Sequence, residues 1–241
     1  MPAEAAATDT LALLHQLHAD LRWPAHVGVL VPWGNTMVET ELPRLGLDQV
    51  VFHYARLVPA HRYRDADDFL AEIAAAVPDT LAQFTRLTLA GTLVACTSTG
   101  FLTPEAYQNT AVVDAFDALQ ILLRDLTAST IILATPYPTR HTQIQAARLQ
   151  NAGFDVAGHA SLDLALLDDF TAVTPEHITE LVHRIDDGRR RRADALVLSC
   201  TAWPTIAATA LLQRELGIPV VSSNLALAYN AVRLARAVEA R

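Results

Sequence analysis

One interval recurs along this chain. Pro32 and Pro136 each close an apolar run (VGVLVP and TIILATP) and stand 104 residues apart, and Cys96 and Cys200 each follow another run (LVAC and LVLSC) at the same separation. Buried strands all look alike, so matching Val and Leu runs would mean little by themselves. Matching both prolines and both cysteines points to two similar half-domains related by duplication. Val51-Phe52 and Asp155-Val156 keep the interval, and residues 115–124 lie opposite residues 225–234 inside the closing helices.

Apolar runs of strand length at 27–32, 50–57, 89–97, 130–136, 154–162, 195–201 and 218–223 alternate with helical segments. Short apolar strands between helices form βαβ units and a parallel sheet. The expected fold is therefore α/β, with two pseudo-symmetric Rossmann-like (flavodoxin-like) half-domains and a cleft between them. The halves are expected over residues 25–128 and 129–241, with the closing helices free to cross. Residues 9–22 place Leu11, Leu14, Leu17 and Leu21 on one helical face behind Asp9 as N-cap. Residues 1–24 thus read as an appended amphipathic helix, with His15 and His18 on its exposed side.

Composition removes whole classes of function. All 18 basic residues are Arg, which closes any mechanism needing a catalytic Lys, including the Schiff base and the P-loop. A net charge of −8 repels a phosphate backbone, so no nucleic-acid partner is expected. The mean hydropathy of +0.23 comes from dispersed Ala, Val and Leu; no run approaches the ~20 residues of a membrane span, and no membrane partner is expected. Glu4 and Asp9 precede the first basic residue, Arg22, which is unlike a secretory signal and points to the cytoplasm. Two cysteines without Cys-x-x-Cys spacing make neither a disulfide scaffold nor a zinc site. His177 and His183 lack zincin spacing, so no metal is expected. The run from Arg189 to Arg192 reads as a solvated helix end. No Gly-x-Gly-x-x-Gly follows a strand, and Ser98, Ser199, Ser222 and Ser223 lack a Gly-x-Ser-x-Gly elbow.

Open parallel sheets bind ligands outside the carboxyl ends of their strands. Cys96 and Cys200 both stand at such ends, each before a Thr, so two facing halves would present two thiols to one small ligand. Helix N-termini after Thr97 and Thr201 would lower the thiol pKa and hold a carboxylate. Asn35 and Thr36, in the turn Pro32-Trp33-Gly34-Asn35-Thr36, offer an amide and a hydroxyl to a carboxylate, or serve as a plain N-cap. Tyr137, at the matching turn of the second half, can donate its phenol to an oxyanion or simply pack.

These residues carry a resemblance. PWGNT near the first strand, ACTS and LSCT at the two strand ends, TPY opening the second half and LGIPVVSSN near the C-terminus together resemble the Asp/Glu racemase superfamily. The resemblance is nearest to its maleate cis-trans isomerase branch, which also includes arylmalonate decarboxylases; it spans roughly residues 25 to 240. It implies cofactor-free chemistry at a carbon next to a carboxylate, a small carboxylate substrate and a homo-oligomer. It also implies that Cys96 is the nucleophile, Cys200 its partner, Asn35 a carboxylate-binding amide and Tyr137 a substrate-contacting phenol. Thr36, Thr97, Ser98 and Thr201 complete the expected substrate-binding set.

Two departures matter. The isomerases carry a second carboxylate-binding Asn where this chain has Ser161-Leu162-Asp163, and an ionised Asp there would repel a second carboxylate unless turned away. The decarboxylase branch keeps only the second cysteine, whereas both stand here, which disfavours decarboxylation. The leading expectation is cis-trans isomerisation of a maleate-like dicarboxylate by thiolate addition. A two-cysteine racemase or epimerase is the alternative, with Asp163 as the acid to meet an ammonium. A non-catalytic protein that binds a small acid is a third.

Overall fold

The computed structural model describes residues 9–103, 105, 110–165 and 170–240. The first half contains β1 (Ala25–Pro32), α2 (Met37–Glu41), β2 (Val50–Leu57), α3 (Ala66–Ala75), α4 (Val77–Leu81), β3 (Gly91–Val94), α5 (Thr97–Leu102), β4 (Val112–Asp114) and α6 (Ala115–Asp125). The second half contains β5 (Thr130–Thr135), α7 (Thr139–Asn151), β6 (Asp155–Ser161), α8 (Pro175–His183), α9 (Asp187–Arg190), β7 (Ala195–Leu198), α10 (Ile206–Leu216), β8 (Val220–Ser222) and α11 (Ser223–Glu239). The sheets run β2-β1-β3-β4 and β6-β5-β7-β8, and every neighbouring pair is parallel.

The sequence interval is a repeat of strand register. Val27 pairs with Gly91 and Ile131 with Ala195, each second pair displaced by 104 from the first. Sequence patterning missed β4, a strand of three residues. It also set the closing helices two residues out of step. Their N-caps, Asp114 and Ser222, are the equivalent positions, and they lie 108 apart because the second half carries four more residues between its cysteine and its fourth strand.

The closing helices tie the halves into one body. Helix α11 follows β8 yet packs on β1 and β3 of the first sheet as well as on α6, while α6 reaches β8. Gly91 permits this approach, because a Cβ there would lie 2.8 Å from Leu234 of α11. One apolar core accordingly runs through both halves, from Val27 and Leu93 to Leu133 and Val197.

Helix α1 (Thr10–Ala19) is capped by Asp9, which accepts from the backbone N–H of Leu11 and Ala12. It is no loose appendage. Thr10 Oγ1 donates to the Val220 carbonyl at 2.9 Å, and His15 Nε2 lies 2.7 Å from the Leu45 carbonyl, so α1 touches both halves. The expected exposure of His18 is corrected: it is buried and its Nε2 accepts from the Gln49 N–H. The leucine stripe of a short helix does not reveal that a second face is also covered. No helix among the described residues is long and apolar enough to cross a membrane.

Candidate active site

In each sheet the chain leaves the first strand toward one side and the third toward the other, which opens a crevice where the carboxyl ends of those strands diverge. Strands β1 and β3 deliver Pro32–Asn35 and Cys96–Ser98 to one crevice; β5 and β7 deliver Pro136–Tyr137 and Cys200–Ala202 to the other. The two crevices face each other. They share a cavity of about 410 Å³, within the usual range for small-molecule sites, lined by Asn35, Cys96, Thr97, Ser98, Tyr137, Cys200 and Thr201. Seven of the eight residues expected at the site meet there. Thr36 does not: it faces solvent, and the first-turn bonds of α2 come from Asn35 instead, whose Oδ1 accepts from Met37 N and Val38 N.

The remaining wall is largely apolar, with Pro32, Trp33, Tyr63, Phe69, Phe170 and Ala202. Tyr63 and Phe69 meet edge-on at 5.0 Å between ring centroids, and Tyr137 packs between Phe101 and Phe170. Among the described lining residues there is no charged side chain. An anion in this cavity is therefore met by neutral donors.

Both thiols are unbridged and buried. The expectation that helix N-termini depress their pKa is corrected on two counts. Helix α5 does begin directly after Cys96, but α10 begins only at Ile206, so Cys200 sits on a turn. Desolvation also outweighs the local donors. Burial pushes Cys96 above its ordinary value against the Thr99 hydroxyl and the N–H groups of Thr99 and Ser98, and the nearby Asp114 carboxyl adds to the rise. Cys200 is pushed up to about 12, chiefly by burial, although the N–H groups of Ala202 and Trp203 and the Tyr137 phenol oppose the shift. Burial thus favours the neutral thiol at both positions.

Tyr137 is 1% exposed. Burial, and then the two sulfurs, hold its phenol well above the ordinary range. It lies within reach of Ser98 and Cys200, yet its hydroxyl makes no well-formed hydrogen bond. A buried hydroxyl left without a partner costs about 1–3 kcal/mol, and a ligand oxygen between the thiols would accept from it.

Residues 94–240 match the family model of arylmalonate decarboxylase. The chain belongs to the arylmalonate decarboxylase family. A maleate isomerase of Geobacillus stearothermophilus is 25% identical over 234 residues, covering 86% of this chain and 90% of that protein. Among solved structures, a Nocardia farcinica maleate cis-trans isomerase with one cysteine replaced by serine, bearing a covalently bound succinylcysteine intermediate, superposes with a TM-score of 0.76. It is 24% identical and covers 87% of this chain and 92% of that one. The maleate isomerase of Pseudomonas putida S16 follows at a TM-score of 0.75, 19% identity and coverage of 89% and 93%.

Like those relatives in fold, this family member holds its strand ends together through bonds that its sequence did not reveal. Ser223 Oγ receives the Thr97 hydroxyl at 3.0 Å and the Cys200 N–H at 3.1 Å, so one side chain braces both cysteine segments. Asn35 Nδ2 donates to Thr201 Oγ1 at 2.9 Å, and that hydroxyl donates to the Ala95 carbonyl at 2.8 Å. One N–H of the Asn35 amide is spent on Thr201, and the other remains for a ligand. Glu41, Ser223 and Asn224 are the main omissions of the sequence reading. The available signals were the LGIPVVSSN motif, which ends on Ser223-Asn224, and position, since this pair follows the fourth strand of its sheet on the same edge as the cysteines. Asp163 proves to be turned away: it is exposed at φ 59°, and its Oδ1 accepts from Thr139 N at 2.7 Å, a bond that holds its carboxyl below the ordinary value.

Proposed function

We propose that this protein is a cofactor-independent cis-trans isomerase of a small unsaturated dicarboxylate of the maleate kind. The observation that carries the reading is one cavity receiving two thiols from equivalent strand ends with a buried phenol beside them. Kinship with a maleate isomerase over most of the chain supports the substrate class. Cys96 is the nucleophile and Cys200 its acid and base partner. The free N–H of Asn35, the Thr97 and Ser98 groups, Tyr137 and Thr201 hold the carboxylate.

The Cys96 thiol gives up its proton to solvent, the thiolate adds to one alkene carbon, and the π pair moves onto the neighbouring carbon and its carboxylate. The former double bond is then single and rotates. The pair returns, the alkene re-forms in the trans geometry and the sulfur leaves as thiolate. The donors around the carboxylate favour the enediolate-like charge that develops. The saturated succinyl group seen on the Nocardia relative corresponds to the same adduct after protonation of the neighbouring carbon. Cys200, with its pKa near 12, holds a proton for that step and takes it back on reversal.

The racemase alternative lacks support. An amino-acid substrate needs an acceptor for its ammonium, and among the described lining residues none is a carboxylate. Asp163, the acid that could have served, is engaged with Thr139 outside the cavity.

The test is proton NMR in heavy water without added cofactor. Maleate, or a close monosubstituted relative, is converted to the trans isomer, while aspartate and glutamate incorporate no α-deuterium. Rapid exchange of Asp and Glu with no isomerisation of any cis-alkene diacid replaces this reading with the racemase. Inactivity across a panel of small acids leaves the binding protein. Cytoplasmic location and a homo-oligomeric state belong to the same proposal, and light scattering measures the second.

A further inference from the structure

We propose that Glu41 is a positioning residue for Cys200, a carboxylate from the first half that fixes the turn carrying the second thiol. The proposal rests on the isomerase reading above. Glu41 closes α2, the short helix that follows the Asn35 turn, and is 4% exposed. Every hydrogen-bond partner of its carboxylate comes from the other half. Oε1 accepts from Thr205 N at 2.7 Å and Ile206 N at 2.9 Å; Oε2 accepts from Thr205 Oγ1 at 3.1 Å and Asn224 Nδ2 at 2.7 Å. Asn224 Nδ2 also donates to the Thr201 carbonyl at 3.2 Å, so the carboxylate grips both ends of the turn from Thr201 to Thr205.

That turn is where the second half departs from the first. Cys96 runs straight into α5 and is held by its helix, whereas Cys200 has five residues before α10 begins. Something else must hold it. Thr205 is a residue type that ordinarily caps its own helix, but here it makes no side-chain cap and donates its hydroxyl to Glu41. Burying a carboxylate is costly, and burial does raise the Glu41 pKa against its four donors. A neutral local cap was available to α10 at less cost. What Glu41 adds is a rigid link between the Asn35 turn of one half and the Cys200 turn of the other. The position equivalent to Glu41, at the 104-residue interval, is Gln145, and it bonds Ser199 within its own half. Of this pair, Glu41 bonds to the opposite half and Gln145 to its own.

The experiment compares wild type, Glu41→Gln and Thr205→Val, each verified as folded by circular dichroism. Peptide mass spectrometry follows iodoacetamide labelling of each cysteine separately, and kcat and KM are measured with maleate. In Glu41→Gln an amide N–H faces the Asn224 donor, which frees the turn. Cys200 labelling is expected to rise by about tenfold while Cys96 stays within about twofold, and kcat falls roughly 10- to 100-fold with KM within about threefold. Thr205→Val, which removes one bond of the four, shifts the same ratio by less. An unchanged Cys200 to Cys96 labelling ratio in either folded variant, or equal acceleration of both thiols, overturns the positioning role. If Glu41→Gln does not fold, the Thr205→Val ratio decides alone. If wild type isomerises neither maleate nor its relatives, the isomerase reading fails, and the labelling ratio still decides the role of Glu41.

Discussion

The two cysteine turns occupy the same place in two copies of one frame, and they are built differently. Cys96 is the N-cap of a helix, faces backbone N–H groups of that helix and has the buried acid Asp114 nearby. Cys200 lies on a longer turn held by Glu41 from across the cleft and by Ser223 of its own half, and the residue equivalent to Asp114 is the neutral Ser222. Duplication supplied two thiols at one cavity, and the divergence of the turns gave them different chemistry. Helix α5 offers its backbone N–H groups to the Cys96 sulfur, although burial and Asp114 still raise its pKa. The thiol held at a pKa of about 12 is suited to keep its proton.

The sharpest break of that asymmetry is deletion of each sulfur in turn. Cys96→Ala is expected to lower maleate turnover at least about 10³-fold, since it removes the nucleophile that bonds to carbon. Cys200→Ala also slows turnover strongly, measured by the loss of maleate absorbance, but only because proton handling is impaired.

Tyr137→Phe ranks next. Its hydroxyl makes no well-formed hydrogen bond, so its removal should leave the melting temperature unchanged or slightly raised. The same change should lower kcat by about 10²-fold if the phenol meets the developing oxyanion. A large loss of stability would mean instead that Tyr137 acts as packing.

The acid beside Cys96 gives a pH test with a definite sign. Because burial and Asp114 raise the Cys96 pKa above its ordinary 9.0, the thiolate fraction of free enzyme grows with pH, and kcat/KM should climb through neutrality without levelling below pH 9. Asp114→Asn keeps the cap of α6 and should move that limb to lower pH. Stability gives a second reading. Burial lifts the Asp114 pKa from 3.8 to about 7, so the folded state holds a proton that the unfolded chain releases, and stability falls as pH rises from about 4 to 7. Thermal melts across that window should show a shallower fall in Asp114→Asn.

Asp163→Asn should do least. Asn tolerates the left-handed backbone and can still accept from Thr139 N, so turnover within about twofold of wild type is expected. A large gain in maleate turnover would instead place the Asp163 charge at the substrate.

The alternation of strands and helices was plain in the sequence because buried parallel strands must be apolar, and the duplicated Pro and Cys positions carried the halves and the cleft with it. Cys96, Cys200 and Tyr137 were legible for the same reason: strand ends fix which loops converge. Glu41 and Ser223 were not, because Thr205 lies 164 residues from Glu41 and Thr97 lies 126 from Ser223 along the chain, and nothing local marks a bond across a cleft. The thiol pKa values were misjudged for a related reason. Helix termini can be read from a sequence, whereas the desolvation that outweighs them belongs to the assembled cavity. The length of the turn after Cys200 was likewise hidden by a match of only two residues, Cys-Thr, in each half.

The division of labour between the two thiols is tested most directly by intact-protein and peptide mass spectrometry of the two single-cysteine variants incubated with maleate. The account predicts one succinyl group on Cys96 in Cys200→Ala, its carbon-bound proton then drawn slowly from solvent, and neither adduct nor turnover in Cys96→Ala. An adduct on Cys200 in Cys96→Ala, with turnover retained, would contradict it and reverse the roles of the two halves.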